Sequence, residues 1–364
     1  MGFHEFSSPY DWSRIASFKR TAKAAFGGMV DLSVGSPVDP VPDSVRKALG
    51  AASNDPNAYG YPVTAGTADL RSAIAEWFAA ARNVDLTAID ADVVPTVGSK
   101  EGVALMASLL HLGAGDVVVQ PKVSYPTYEI GTQLAGAEVL KVDDVADVES
   151  WKDVPGVKAV WVNSPCNPTG AVLAAEQMAA IVAAARGIGA VVLSDECYAL
   201  MQWGNVDVEA DADTLASTPC ALRPDVCGGS AQGVLVLYSL SKQSNMAGYR
   251  TAFIAGDKSL IVPMTAYRKQ IGQIIPGPVQ AAMAVGLRDL ESVKAQRKRY
   301  ANRLGILVSA LRAYGYCTDM PDGALYVWVK AKSGDCWKDM EQLARIGIIV
   351  CVWVLYWYKE YLRL

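Results

Sequence analysis

The residues best able to do chemistry lie in the run Ser239-Leu240-Ser241-Lys242-Gln243-Ser244-Asn245-Met246-Ala247-Gly248-Tyr249-Arg250. One amine is crowded there by hydroxyls and followed eight positions later by a guanidinium. A lysine in that setting can form an imine with an aldehyde cofactor while the serines and the arginine hold its phosphate. The run therefore points to pyridoxal phosphate (PLP), although a solvated turn would use the same Ser-x-Ser-Lys residues.

Further candidates stand upstream. Val191-Val192-Leu193-Ser194-Asp195-Glu196-Cys197-Tyr198 reads as a short apolar strand ending in a carboxylate. Ligand-binding groups of α/β sheets gather at such strand ends. A carboxylate that pairs with a pyridinium nitrogen keeps the ring protonated and electron-withdrawing, so Asp195 suits a PLP site. It suits a helix N-cap equally. Val160 to Gly170 is a second strand, running into the turn Pro165-Cys166-Asn167-Pro168-Thr169-Gly170. Thr96-Val97-Gly98-Ser99 feeds a helix expected over Lys100 to Leu112, and the exposed amides and dipole of its N-terminus would attract a phosphate to Ser99 and Lys100. Ser99 as a plain helix cap is the other reading.

Asn167, Asp195, Lys242 and Arg250 are separated by 28, 47 and 8 positions. With Asn-Pro-Thr-Gly, Asp-x-x-Tyr and Ser-x-Ser-Lys before an arginine, the chain resembles the class I/II aminotransferases of the PLP fold type I enzymes. The likeness runs from about Asp31 to Gly347. Ser33-Val34-Gly35-Ser36-Pro37, Tyr59-Gly60-Tyr61-Pro62, Ser124-Tyr125-Pro126-Thr127-Tyr128 and Pro276-Gly277-Pro278 narrow it further, so that the chain looks most like the actinobacterial succinyldiaminopimelate aminotransferases.

This resemblance implies a set of roles. Lys242 would hold PLP as an imine and, once displaced by the substrate amine, move a proton between Cα and C4′. Asp195 would pair with the pyridine nitrogen, and Asn167 and Tyr198 would donate to the ring's phenolate oxygen. Tyr125 would stack on the ring, with a simple core aromatic as the competing account. Ser99, Lys100, Ser239, Ser241 and Arg250 would bind the phosphate. Tyr61 resembles the tyrosine that reaches the cofactor of a neighbouring subunit, which implies a homodimer. Gly35 would line the substrate site where the backbone approaches closely, or serve as an ordinary turn glycine.

The tail departs from the family pattern. Relatives pass from Gly-Ile-x-Val through Pro-Gly-x-Phe-Tyr-Gly to an arginine that grips the substrate α-carboxylate through two parallel hydrogen bonds. Here Gly347 to Leu364 lacks that middle element, and Arg363 is the candidate anchor, about two residues short of the expected spacing. A frayed terminal arginine is the alternative. The end is read as truncated or altered after 350.

Composition excludes other classes. The 364 residues are 51% hydrophobic, enough for a large core, and the net charge of −4 carries no basic footprint for nucleic acid. Seven cysteines without a Cys-x-x-Cys pair argue against disulfides or a zinc ribbon and for a reduced, cytoplasmic setting. Cys166 and Cys197 read as small buried hydrophobes. The two histidines, His4 and His111, build no metal site or hydrolase triad. Gly-x-Gly-x-x-Gly and phosphate-loop fingerprints are missing. Met1 to Lys23 has no signal-peptide pattern, and the apolar stretch Ile348 to Tyr358 is too short to span a bilayer and reads as a buried strand.

The elements that would position these groups follow from periodicity. Strand-like runs at Val117 to Gln120, Ala159 to Asn163, Ala190 to Ser194, Val234 to Tyr238 and Ala252 to Ala255 alternate with helical stretches at Ala68 to Ala81 and Ala174 to Arg186. Val206 to Ser230 reads as a loop excursion. The expected architecture is α/β, a mostly parallel central sheet sandwiched by helices, with a smaller α/β domain built from both termini. Domains are expected at 1–35 (N-terminal arm), 36–270 (PLP-binding) and 271–364 (C-terminal). The expected activity is ping-pong transamination in which glutamate leaves as 2-oxoglutarate and N-succinyl-2-amino-6-oxopimelate is aminated. Another acceptor, a PLP-dependent β-lyase, or a non-catalytic PLP-binding regulator are the alternatives.

Overall fold

A computed structural model of the chain describes residues 13–203, 219–352 and 360–364. In chain order its strands are β1 Val30–Asp31, β2 Ala91–Val97, β3 Val117–Pro121, β4 Glu138–Val142, β5 Val157–Asn163, β6 Val191–Asp195, β7 Val234–Ser239, β8 Thr251–Asp257, β9 Trp328–Lys330, β10 Ile348–Ile349, β11 Cys351–Val352 and β12 Tyr361–Arg363. The chain divides into two compact units. The larger comprises 37–302 and 322–324; the smaller comprises 1–36, 303–321 and 325–364.

The larger unit is built on a seven-stranded sheet in the order β2-β8-β7-β6-β5-β3-β4. β4, β3, β5, β6 and β7 run parallel, while β8 is antiparallel to both β7 and β2. Alternation along the strands sorts side chains to two faces. Val160, Val162, Val192, Val234 and Val236 join one core with Trp77, Phe78 and Ile181. Ala159, Trp161, Leu193, Leu235 and Leu237 join the other with Met106, Ile261 and Met264. Burial on both faces explains why these strands read as nearly continuous apolar runs.

β3 and β5 are followed by the helices Thr127–Leu134 and Ala175–Gly187, which pack back onto the sheet, so the strands' carboxyl ends open onto loops free to carry function. The helix expected over Ala68 to Ala81 is Ala68–Arg82, capped by the Thr67 hydroxyl on the Leu70 amide. That expected over Ala174 to Arg186 is Ala175–Gly187. The helix expected over Lys100 to Leu112 runs from Ser99 to Leu109; Gly98, in a conformation no helix contains, sets its start.

Three features of the larger unit differ from expectation. β2 carries Pro95, which removes a ladder donor and hides the strand in the sequence; an edge position tolerates it. Within the expected loop excursion, Pro224–Cys227 forms a short helix held by Arg186, whose guanidinium donates to the carbonyls of Cys227, Ser230 and Gln232. The part at 206–218 lies outside the described residues. The expected domain boundary at 270 falls inside the larger unit, which extends to Asn302.

The smaller unit pairs β1 with β10 in parallel and assembles an antiparallel sheet in the order β11-β12-β9. The expected buried strand from Ile348 is divided into β10 and β11, and its remainder at 353–358 lies outside the described residues. Asp339, on the Cys336–Arg345 helix, accepts from Tyr316, Lys332 and Ser333 and ties the helix to its neighbours. Among the described residues no helix is long and apolar enough to cross a membrane, and no cluster of ligating side chains could hold a metal ion.

Candidate active site

Three neighbouring strands of the larger unit end in polar residues: Asn163 on β5, Asp195 on β6 and Ser239 on β7. Asn163 and Asp195 are direct partners in the sheet register. The Asn163 amide donates to the Asp195 carbonyl at 2.9 Å and to the Pro165 carbonyl at 3.2 Å, and its oxygen accepts the Asn167 N–H at 2.8 Å. One side chain thus folds the Pro165-Cys166-Asn167 turn back over the end of β6 and fixes Asn167 there.

Asp195 is the electrostatic centre. Its Oδ2 accepts the Tyr128 O–H at 2.7 Å and its Oδ1 the Cys197 N–H at 3.1 Å. Burial pushes its carboxyl above the usual carboxylate range, with these hydrogen bonds pulling the other way. Among the described residues no lysine or arginine forms an ion pair with it. A buried carboxylate with two donors and no cation is the partner that a pyridinium nitrogen needs.

The aromatic wall beside it is ordered by stacking. Tyr128 lies on Trp161 with ring centroids 4.3 Å apart and an interplanar angle of 13°. Tyr125 meets Tyr128 edge-on at 5.7 Å, and Lys100 Nζ stands 5.8 Å from the Tyr125 ring centroid. Burial raises the Tyr125 hydroxyl to about 12, so it remains protonated at neutral pH.

Three further segments bring N–H, hydroxyl and guanidinium donors to this end of the sheet. Gly98 caps the Ser99–Leu109 helix with φ 76° and ψ 157°, a region open to glycine alone. A Cβ there would run into the Arg250 guanidinium, so glycine lets the arginine come against the helix N-terminus. Arg250 itself follows the turn Ala247–Tyr249 in a left-handed conformation, with Nη1 donating to the Ala247 carbonyl. Behind it, Arg268 grips Glu101 through 2.7 and 2.8 Å bonds, and Glu101 accepts the Val97 N–H, which fixes the turn that presents Ser99. Ser239 caps the short helix Leu240–Gln243, its hydroxyl 2.8 Å from that of Ser241.

Lys242 sits on that helix. The Tyr300 hydroxyl lies 3.3 Å from the Lys242 carbonyl and 3.2 Å from Asn245 Oδ1, while Gln243 is held by Tyr238 and by the Gly286 carbonyl. Cys197 links these parts: its thiol, raised well above the usual range by burial and by the Asp195 charge, also feels Ser99 and Lys242. A thiol raised in that way is protonated and a poor nucleophile. Tyr198 follows it and is buried.

The geometry therefore brings Ser99, Lys100, Tyr125, Asn167, Asp195, Ser239, Ser241, Lys242 and Arg250 to one end of one sheet. Tyr61 is fully exposed, so within a single chain it touches none of them. Gly35 and Arg363 belong to the smaller unit. There Arg363 Nη2 donates to the Ser33 carbonyl at 2.9 Å and the guanidinium carbon lies 4.5 Å from the Tyr326 ring centroid. Tyr128, Asn163 and Gly98 are not among the residues expected from sequence to act in the site, and Cys197 is expected there only as a small buried hydrophobe. Sequence carries no signal that separates Tyr128 from Tyr125 three residues earlier; the contact with Asp195 is visible only in the fold.

The donors fit PLP: a buried acid for the ring nitrogen, a helix N-terminus with hydroxyls and a guanidinium for the phosphate, and a lysine on the short helix at the end of β7. Comparison with known proteins agrees. The family described as aminotransferase class I and II matches residues 27–363. A probable aminotransferase of Mycobacterium tuberculosis is 41% identical over 342 residues, covering 94% of this chain and 77% of that protein. The 4-dedimethylamino-4-oxo-anhydrotetracycline transaminase OxyQ of Streptomyces rimosus is 39% identical, covering 95% and 91%. Among solved structures, an aminotransferase of Neisseria meningitidis superposes with a TM-score of 0.82 at 27% identity, covering 98% of this chain and 93% of the other. A probable N-succinyldiaminopimelate aminotransferase of Thermus thermophilus shares the fold with a TM-score of 0.82 at 24% identity, covering 97% and 94%.

Proposed function

We propose, for a chain that belongs to the class I and II aminotransferases and depends on PLP, that the reaction is transfer of the amino group of glutamate to N-succinyl-2-amino-6-oxopimelate. The observation that carries the chemistry is the buried Asp195 carboxylate, held by Tyr128 and Cys197 at the end of β6. Bound PLP supplies an aldehyde that condenses with amines and a ring that withdraws electrons from the substrate Cα.

The residues divide the remaining work. Asp195 stabilises positive charge at the ring nitrogen, and its raised carboxyl is brought back to the ionised form by that charge. Ser99, Ser241, Ser239, Arg250 and the amides at the start of the Ser99–Leu109 helix hold the phosphate, with Lys100 adding positive charge. Tyr125 covers the ring, and Asn167 and Tyr198 donate to its phenolate oxygen. Lys242 takes the proton from the substrate Cα as general base. Arg363 orients that Cα–H by gripping the α-carboxylate, with Gly35 on the same segment as Ser33. A cytoplasmic homodimer in which Tyr61 serves the neighbouring subunit belongs to the same proposal, and sedimentation of the purified protein tests the dimer.

The acceptor rests on the sequence elements around Gly35, Tyr61 and Pro276. An LL-diaminopimelate aminotransferase of Maridesulfovibrio salexigens, 30% identical, supports a diaminopimelate-type substrate. The likeness to OxyQ favours a second reading, amination of a ring ketone. A panel of oxo acceptors with glutamate as donor separates them: the succinylated pimelate should turn over with the highest kcat/KM. Faster turnover of a ring ketone, or pyruvate release without any acceptor, overturns the assignment.

A further inference from the structure

Arg363 is held by the smaller unit's own sheet. β12 pairs with β9 so that Arg363 faces Trp328, and Val327 and Leu364 exchange backbone bonds at 3.0 and 3.1 Å. Two-residue alternation then puts Tyr326, Trp328, Tyr361 and Arg363 on one face. Trp328 and Tyr361 stack with centroids 5.0 Å apart and planes within 5°, and the next position along that face brings Tyr326 against Arg363. Tyr326 is 5% exposed. A Cβ on Gly35 would fall 2.6 Å from Tyr326 Cε1, so the glycine leaves room for the ring.

We propose that Tyr326 is a positioning residue for carboxylate recognition: its ring, seated against Gly35, fixes the plane of the Arg363 guanidinium. The inference rests on the reading of Arg363 as the α-carboxylate anchor. A ring beneath a guanidinium occupies its face, whereas its N–H donors point outward in the plane. With the guanidinium carbon 4.5 Å over the ring centroid, the ring limits rotation of the group without using up the N–H donors that a carboxylate takes in pairs. Ser33 fixes one edge through its carbonyl, and Ser33 is itself tied down by Asp31 through its amide and its hydroxyl. Gly35 acts on the substrate through the tyrosine.

The test compares Tyr326→Leu, Tyr326→Phe, Gly35→Ala and Arg363→Leu in the PLP-loaded enzyme. Binding of glutarate, a dicarboxylate without an amine, is measured by calorimetry; condensation of n-butylamine, an amine without a carboxylate, is followed by cofactor absorbance; KM and kcat are measured for glutamate. Tyr326→Leu should weaken glutarate and raise the glutamate KM by about five- to tenfold, the size of a partly desolvated cation–π contact. Its butylamine affinity should stay near wild type, while its kcat for glutamate should fall along with the rise in KM, because the same guanidinium orients the Cα–H. Tyr326→Phe keeps the ring and should restore glutarate affinity. Gly35→Ala, which displaces the ring while leaving it in the chain, should reproduce the loss and replaces Tyr326→Leu if that variant does not fold. Weak glutarate binding in Arg363→Leu with normal binding in Tyr326→Leu and Gly35→Ala overturns the positioning role alone. Normal binding in Arg363→Leu overturns the anchor and the positioning role together. Equal damage to butylamine in Tyr326→Leu shows a general structural effect and also overturns the role.

Discussion

The phenol of Tyr128 donates to Oδ2 of Asp195 across 2.7 Å from a ring stacked on Trp161. Both partners are buried, so the acid is oriented by a group that cannot rotate away. The same burial raises the Asp195 carboxyl, which gives the site a pH signature in the cofactor-free protein.

Asp195→Asn tests that signature. A carboxyl whose folded-state pKa is raised binds its proton more tightly in the folded protein than in the unfolded chain. Its penalty is thus absent below the unfolded carboxylate pKa and grows as pH rises to the raised value. Cofactor-free Asp195→Asn should melt at or above the wild-type temperature at neutral pH, with the difference shrinking below about pH 4, where the unfolded carboxyl protonates. Its transaminase rate should fall roughly a hundredfold or more, the scale of a lost charge-stabilising group. Calorimetry across pH and an amino-transfer assay check both halves.

Lys242→Ala removes the proposed general base and the covalent attachment. Turnover should fall by about two to four orders of magnitude, the usual worth of a positioned acid or base. Borohydride reduction of the wild-type protein with PLP, followed by peptide mass spectrometry, should place the label on Lys242. Label on another lysine would refute the assignment.

Gly98→Ala tests the proposed phosphate site. An alanine must adopt a backbone reserved for glycine, at a cost of about 1–3 kcal/mol, and its methyl meets the Arg250 guanidinium. PLP affinity should drop by about tenfold or more, since each ~1.4 kcal/mol is a factor of ten. Equilibrium dialysis against PLP measures it.

Arg268→Met probes the support behind Ser99. Arg268 is fully buried and its partner Glu101 is 15% exposed, so truncation strands a largely desolvated carboxylate. Stability should fall by about 3 kcal/mol, the low end for breaking a buried pair. Adding Glu101→Gln should recover part of that loss in urea titrations.

How much of this was legible beforehand depended on whether a residue acts through its neighbours in sequence or in space. Lys242, Arg250 and the Ser239–Ser241 hydroxyls lie in one continuous run, and Asp195 ends an apolar strand, so pattern marks them as candidates and the family resemblance supplies their roles. Tyr128 could not be told from Tyr125, because only the stacking on Trp161 shows which phenol reaches Asp195. Gly98 matters through Arg250, a residue far along the chain. β2 was hidden by Pro95, and the larger unit's extent past 270 by helices that run on without a break in composition, Gly277–Arg288 and Leu290–Tyr314.

Asn163, Asp195 and Ser239 crown strands whose bodies are packed into two separate apolar layers. Durability and selectivity are therefore inherited through different letters of the same text. A descendant can exchange what stands beyond those tips and acquire a new diet without renegotiating its ability to fold, which is how relatives named for such different substrates can share one scaffold.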